Sequence, residues 1–230
     1  MKYNHIFIDL DRTLYDFDKS TRETFLELFE KFNLKENGVH DFEAFLNLYN
    51  KNNIELWDQY RNGEITKKFL NVHRFHISLL HFGIDDRAFA GRFASDYLLI
   101  SPLKKALFPE VNDILKYLKK KYSLHIITNG FEEVQRTKIK ANNLDQFFKT
   151  VTTSEEAEAK KPKKEIFLYA LKKAGAGPEE SLMIGDDYEV DILGAKSVGM
   201  DQMLFSQNGT DPSWSCTYII RNWPEIKAVL

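Results

Sequence analysis

From Ser101-Pro102 onward the chain alternates short apolar runs with amphipathic stretches of helix length, and this alternation constrains its fold more than any other feature. Helices are predicted over 110–121, 131–142, 164–173 and 190–197, and strands over 124–128, 150–152, 182–185, 202–205 and 218–220. An earlier apolar run, Tyr3-Asn4-His5-Ile6-Phe7-Ile8, adds a strand before Asp9. Strands interleaved with helices imply an α/β fold with a doubly wound, parallel, Rossmann-like sheet. Ligands of such sheets bind outside the carboxyl ends of the strands. The turn-rich stretch 206–215 reads as a surface loop before the last strand.

Between Asp9 and Pro102 the periodicity is helical instead. Ser20-Thr21-Arg22-Glu23 has the pattern of a capping box ahead of Phe25, Leu28, Phe29 and Phe32, and further helices are predicted over 42–49, 66–82 and 85–97. The chain therefore divides into an α/β core, 1–16 and 101–230, and an inserted all-helical unit, 17–100.

At 230 residues, 43% hydrophobic and 29% charged, the chain can bury a full core. A net charge of -2 provides no field for nucleic acid or an anionic membrane, and Lys119-Lys120-Lys121 and Lys160-Lys161 are too short to create one, so neither is an expected partner. No apolar stretch has membrane-spanning length, and with the first strand so close to Met1 no leader is expected. With Cys216 as the single cysteine, no intramolecular disulfide can form, and a reducing, cytoplasmic location is expected.

Polar signals recur at the predicted strand ends. Asp9 and Asp11 are two apart in extended chain, so both carboxyl groups can face one cavity. Two carboxylates so close must share a proton or a cation, and oxygen ligands favour a hard ion such as Mg2+. Thr128-Asn129-Gly130 offers a hydroxyl and backbone N–H groups to a phosphate near a helix start, although the same residues would serve a simple turn. Lys161, before Pro162, can present an ammonium to a phosphate or an ionised nucleophile, or it can be a solvated lysine. In Gly185-Asp186-Asp187-Tyr188-Glu189-Val190-Asp191, the acids can complement a helix dipole. They can equally complete a cation site, with Asp186 as ligand, Asp187 as an added acid nearby and Asp191 orienting Asp186 or Lys161. Each signal is weak alone, and all fall at the strand ends of one sheet.

In this order the motifs resemble those of the haloacid dehalogenase-like hydrolase superfamily: Asp9-Leu10-Asp11-Arg12-Thr13, Thr128-Asn129, Lys161-Pro162, and Gly185-Asp186 with Asp191. The helical insertion is similar to that superfamily's cap. Two stretches, 128–135 and 56–75, resemble the branch that includes pyrimidine nucleotidases. The resemblance implies a phosphatase in which Asp9 attacks phosphorus and Asp11 protonates the leaving alcohol, then activates water. It implies Mg2+ held by Asp9, the main-chain carbonyl of Asp11 and Asp186, with Lys161, Thr128 and the N–H of Asn129 on the transferred phosphoryl group. The implied partner is a small phosphorylated metabolite: a pyrimidine nucleoside 5'-monophosphate, or alternatively a sugar phosphate, with a mutase as a variant of the same chemistry. A phospho-aspartate signalling module is the alternative of a different class. Arg12 departs from the family, which often has glycine, asparagine or an acid there, and its side chain is expected to point away from Asp9. Trp57, Tyr60 and Arg74 are helical-unit candidates for contact with a base, and packing residues otherwise.

Overall fold

The computed structural model describes residues 2–207, 209, 211 and 213–230. It contains two compact units, 1–17 with 105–230, and 18–104.

The first unit is built on a six-stranded parallel sheet of order β3-β2-β1-β4-β5-β6. The strands are β1 (His5–Ile8), β2 (Ser123–Thr128), β3 (Phe148–Thr153), β4 (Ser181–Gly185), β5 (Asp201–Phe205) and β6 (Tyr218–Ile220). The chain fills one side of β1 with β2 and β3, then returns to the other side with β4, so the order reverses at β1 and β4. A crevice opens at such a reversal, outside the carboxyl ends. In register, Ile8 lies level with Ile126 and Ile184. Asp9 therefore emerges beside the last residues of β2 and β4.

Side chains of the inner strands alternate between two cores, as a sheet covered on both faces requires. Ile6, Ile8, Leu124, Ile126, Leu182 and Ile184 bury on one face. That face also holds Val111, Ile114, Leu115 and Leu118, from α5 (Val111–Lys119), together with Trp223 and Ile226. Phe7, Ile127 and Met183 bury on the other face, with α7 (Lys164–Ala174) and Ala195 of α8 (Leu193–Lys196). Two more helical segments matter for the site: α6 (Glu132–Ala141), after β2, and a single π-type turn (Tyr188–Ile192), after β4.

The second unit is all helical: α1 (Phe17–Lys31, entering it from the first unit), α2 (Phe42–Asn62), α3 (Lys67–Leu80) and α4 (Arg87–Ile100). Its core is aromatic, with the Phe25 ring against Phe45, Tyr49, Phe75, Phe93 and Tyr97. Asp41, Thr66 and Asp86 cap α2, α3 and α4 by accepting N–H groups of their first turns.

Two expectations are corrected. The Ser20 capping box does not form, because α1 begins at Phe17 and Ser20 lies inside it, donating its hydroxyl to the Ser101 carbonyl at 3.1 Å. The helix expected over 42–49 continues to Asn62, since Asn53, Leu56 and Tyr60 extend its buried stripe through the polar run at 50–53. In the loop expected over 206–215, positions 208, 210 and 212 lie outside the described residues. Among the described residues no helix is long and apolar enough to cross a membrane.

Candidate active site

The site starts where β1 stops. The Asp9 N–H still bonds the Ile184 carbonyl (2.9 Å), after which the chain folds into a tight turn: Arg12 N–H to the Tyr15 carbonyl (2.7 Å) and Tyr15 N–H to the Leu10 carbonyl (2.9 Å). Arg12 occupies the left-handed region at φ 63°, where a Cβ is strained, which explains why glycine and asparagine suit the position. Its guanidinium lies 4.9 Å from the Phe17 ring centroid.

Asp9, Asp186 and Asp191 each place a carboxylate oxygen within 4.8 Å of the others. Asp9 and Asp191 are almost fully buried, and Lys161, 2% exposed, lies between them with its ammonium 2.5 Å from Asp9 Oδ1 and 2.6 Å from Asp191 Oδ1. Asp191 reaches this position because residue 185 is glycine: a Cβ there would fall 2.3 Å from Asp191 Oδ2. Asp191 Oδ2 also accepts the Asp187 N–H (3.2 Å), and the Asp187 side chain accepts the Val190 N–H (3.0 Å), so Asp187 caps the π-type turn. Asp186 Oδ1 accepts the Thr13 hydroxyl (3.0 Å), and the Thr13 carbonyl in turn accepts the buried Trp223 indole N–H (3.0 Å).

Lys161 is fixed through its main chain. Asn129 Oδ1 accepts the Lys161 N–H (2.8 Å) and Asn129 Nδ2 donates to the Lys161 carbonyl (2.9 Å), ahead of a cis Lys161–Pro162 peptide. The Asn129 side chain is thus spent on Lys161. Thr128 Oγ1 accepts the Gly130 N–H (3.1 Å) and an amide hydrogen of Gln135 (2.8 Å).

Asp11 stands apart from the acidic cluster. Its Oδ2 accepts from Gln135 Nε2 (2.8 Å) and its Oδ1 pairs with the Lys138 ammonium. Thr13 and Gln135 lie within the motif stretches without a role evident from their sequence, and Lys138 lies outside them. Gln135 and Lys138 do sit at i, i+3 on α6, but that spacing points at Asp11 only once the helix is packed. Among the helical-unit candidates, Arg74 is buried and donates to Asn53 Oδ1 (3.0 Å), with its guanidinium over Phe75 and Tyr97. Trp57 and Tyr60 pack edge to face, with Tyr60 buried.

Three carboxyl groups beside one ammonium, if all ionised, carry a surplus of two negative charges in a largely buried space. Burial pushes the Asp9 carboxyl well above its ordinary range, and the charges of Asp191 and Asp186 add to this against the pull of Lys161. Asp186 is pushed up to about 7 by burial and by Asp191, opposed by the Thr13 hydrogen bond, Arg12 and Lys161. Burial raises Asp191 as well, against Lys161. For Lys161 burial acts downward, but Asp191 and Asp9 outweigh it and hold the ammonium charged. The carboxyls form an all-oxygen donor set whose mutual repulsion a hard divalent cation would relieve.

The model of the haloacid dehalogenase-like hydrolases matches residues 3–199. The pyrimidine 5'-nucleotidase YjjG of Escherichia coli is 31% identical over 94% of this chain and 94% of its own length. A glyceraldehyde 3-phosphate phosphatase of Methanothermobacter thermautotrophicus is 30% identical over 90% of this chain and 87% of its own. Among solved structures, the HAD-hydrolase YfnB of Bacillus subtilis, determined bound to magnesium, superposes with a TM-score of 0.88 at 25% identity, covering 100% of this chain and 99% of that one. The reversal of strand order, the strand-end aspartates and the match along most of the chain lead to one conclusion: the protein belongs to the haloacid dehalogenase-like hydrolase family.

Proposed function

We propose that the protein is a Mg2+-dependent phosphomonoester hydrolase that forms a phospho-aspartate on Asp9 and acts on pyrimidine nucleoside 5'-monophosphates. The observation that carries the chemistry is the buried cluster of Asp9, Asp186 and Asp191 around Lys161. Asp9, Asp186 and the main-chain carbonyl of Asp11 would hold the ion, while Asp191 orients Lys161 and Asp187 secures the turn behind Asp186. When bound, the cation offsets the repulsion between an anionic nucleophile and an anionic phosphate.

Asp9 attacks phosphorus in line. Asp11 gives its proton to the departing oxygen, then takes one from the water that hydrolyses the acyl phosphate. The Lys161 ammonium, the Thr128 hydroxyl and the N–H of Asn129 stabilise charge on the transferred group. The helical unit, 17–100 as the sequence delimits it, serves as the cap that selects the leaving group, and the free thiol of Cys216 suits a cytoplasmic setting.

The nucleotide reading draws on the YjjG likeness. A sugar phosphate is the second reading, favoured by the 30% identity to the glyceraldehyde 3-phosphate phosphatase. A panel of phosphomonoesters decides: kcat/KM highest for uridine and thymidine monophosphates supports the nucleotide, and highest for triose or hexose phosphates supports the sugar. With p-nitrophenyl phosphate and Mg2+, steady release of phosphate is expected. A single stoichiometric burst without turnover would instead indicate a signalling module.

A further inference from the structure

Asp11, the proton donor in the phospho-aspartate reading, is not held by the turn that carries it. Two side chains of α6 take one of its oxygens each: Lys138 pairs with Oδ1, and Gln135 Nε2 donates to Oδ2 at 2.8 Å. The same amide nitrogen donates to Thr128 Oγ1 at 2.8 Å, so one buried group ties the proton donor to a phosphate-binding hydroxyl. Lys138 is buried as well, its ammonium 4.9 Å from the Tyr15 ring centroid and 5.3 Å from that of Phe17. Aromatic faces and one carboxylate oxygen leave this cation little freedom.

Stability alone does not account for Gln135. It is fully buried, its Oε1 has no hydrogen-bond partner, and an apolar side chain of similar size would avoid that orphaned acceptor. Space has been left for it too. A Cβ on Gly130 would lie 2.0 Å from Gln135 Nε2, so only glycine at 130 lets the amide stand between Asp11 and Thr128.

We infer that Gln135 and Lys138 are positioning residues for proton delivery to the leaving group, with Gly130 providing the room; this rests on the phospho-aspartate reading of the site. As an Asp9 oxygen bonds to phosphorus, the bond from phosphorus to the ester oxygen breaks and its electron pair goes to that oxygen. The oxygen takes the proton of the Asp11 carboxyl, and the resulting carboxylate is received by the Lys138 ammonium and the Gln135 amide. Neither residue touches the substrate. They keep Asp11 from turning away, and its register with Thr128 follows from the shared amide.

The test separates leaving groups that need a proton from those that do not. Nitrophenolate departs unprotonated, whereas an alkoxide does not, and kcat/KM reports the steps up to formation of the phospho-aspartate. In Lys138→Met, kcat/KM for an alkyl phosphomonoester is expected to fall about 30-fold or more, against about 3-fold for p-nitrophenyl phosphate, as loss of general-acid help requires. Gln135→Leu and Gly130→Ala, the latter deleting no functional group, should shift the ratio of the two substrates in the same direction by about 10-fold. Thermal melts verify folding, and Gly130→Ala keeps the test decisive if Lys138→Met unfolds. Equal losses on both substrates, with the ratio within about 2-fold of wild type in Gly130→Ala and Gln135→Leu, overturn the inference. A wild-type enzyme that releases phosphate from neither substrate overturns the phospho-aspartate reading and the inference with it.

Discussion

Replacing Lys161 with methionine removes the one cation among the three clustered carboxyls and keeps most of the side chain's length. Deleting one partner of a buried ion pair costs about 3–5 kcal/mol, and Lys161 serves two carboxylates, so a loss of about 4–5 kcal/mol is expected at pH 8 without divalent cation. The pH dependence follows from the carboxyls. Burial raises Asp186 to about 7 in the folded protein against an ordinary 3.8, and Asp9 and Asp191 move in the same direction. A carboxyl whose proton is held more tightly when folded contributes its stability in full below the unfolded value. That contribution is lost as pH rises through the folded value. The variant's penalty should therefore shrink to about 2 kcal/mol or less at pH 5 and grow through pH 7, because protonation does what the lysine no longer can. Urea unfolding at pH 5 and pH 8, with and without Mg2+, measures this, and Mg2+ should restore part of the loss at pH 8 by binding only the folded form. A penalty equal at both pH values and indifferent to Mg2+ would refute the charge balance assigned to this pocket.

Two further outcomes test the framework around the site. His125, fully buried beside the rings of His5 and Phe7, is pushed down to about 4 by burial and by the charges of His5 and Lys149. It therefore stabilises the fold above about pH 6.5 and loses up to about 3 kcal/mol as pH falls towards 4. His125→Phe should flatten that acid limb in denaturant titrations, and an unchanged slope would show that another group is responsible. Arg12→Gly and Arg12→Ala both lose the stack on Phe17, but only alanine keeps a Cβ at φ 63°, so the glycine variant should be more stable by about 1 kcal/mol in thermal melts. Equal stability would mean that the turn relaxes.

The α/β core was legible because β1, β2 and β4 are short apolar runs, each followed by a helical period. The candidate site was legible to the extent that its residues end those runs: Asp9 after β1, Thr128 at the end of β2, Asp186 after β4. Lys161 lies in a polar loop, and its sequence neighbours say nothing of the Asn129 side chain that grips its main chain. The approach of Asp191 to Lys161 depends on the missing Cβ of Gly185, and the grip on Asp11 on the missing Cβ of Gly130. In one dimension both glycines look like ordinary turn residues. Ser20 misled because a capping pattern also fits the interior of a helix when its hydroxyl finds a distant carbonyl, here that of Ser101. The long polar face of α2 hid a helix whose buried side includes Asn53, paired with Arg74.

Covalent capture of phosphorus by Asp9 is tested most directly by quenching the enzyme during turnover with Mg2+ and substrate, reducing it with borohydride, and sequencing its peptides by mass spectrometry. An acyl phosphate at Asp9 yields homoserine at that position and nowhere else, and Asp9→Asn yields none. Steady phosphate release with Asp9 unmodified, or homoserine at Asp11 or Asp186 instead, would contradict the assignment.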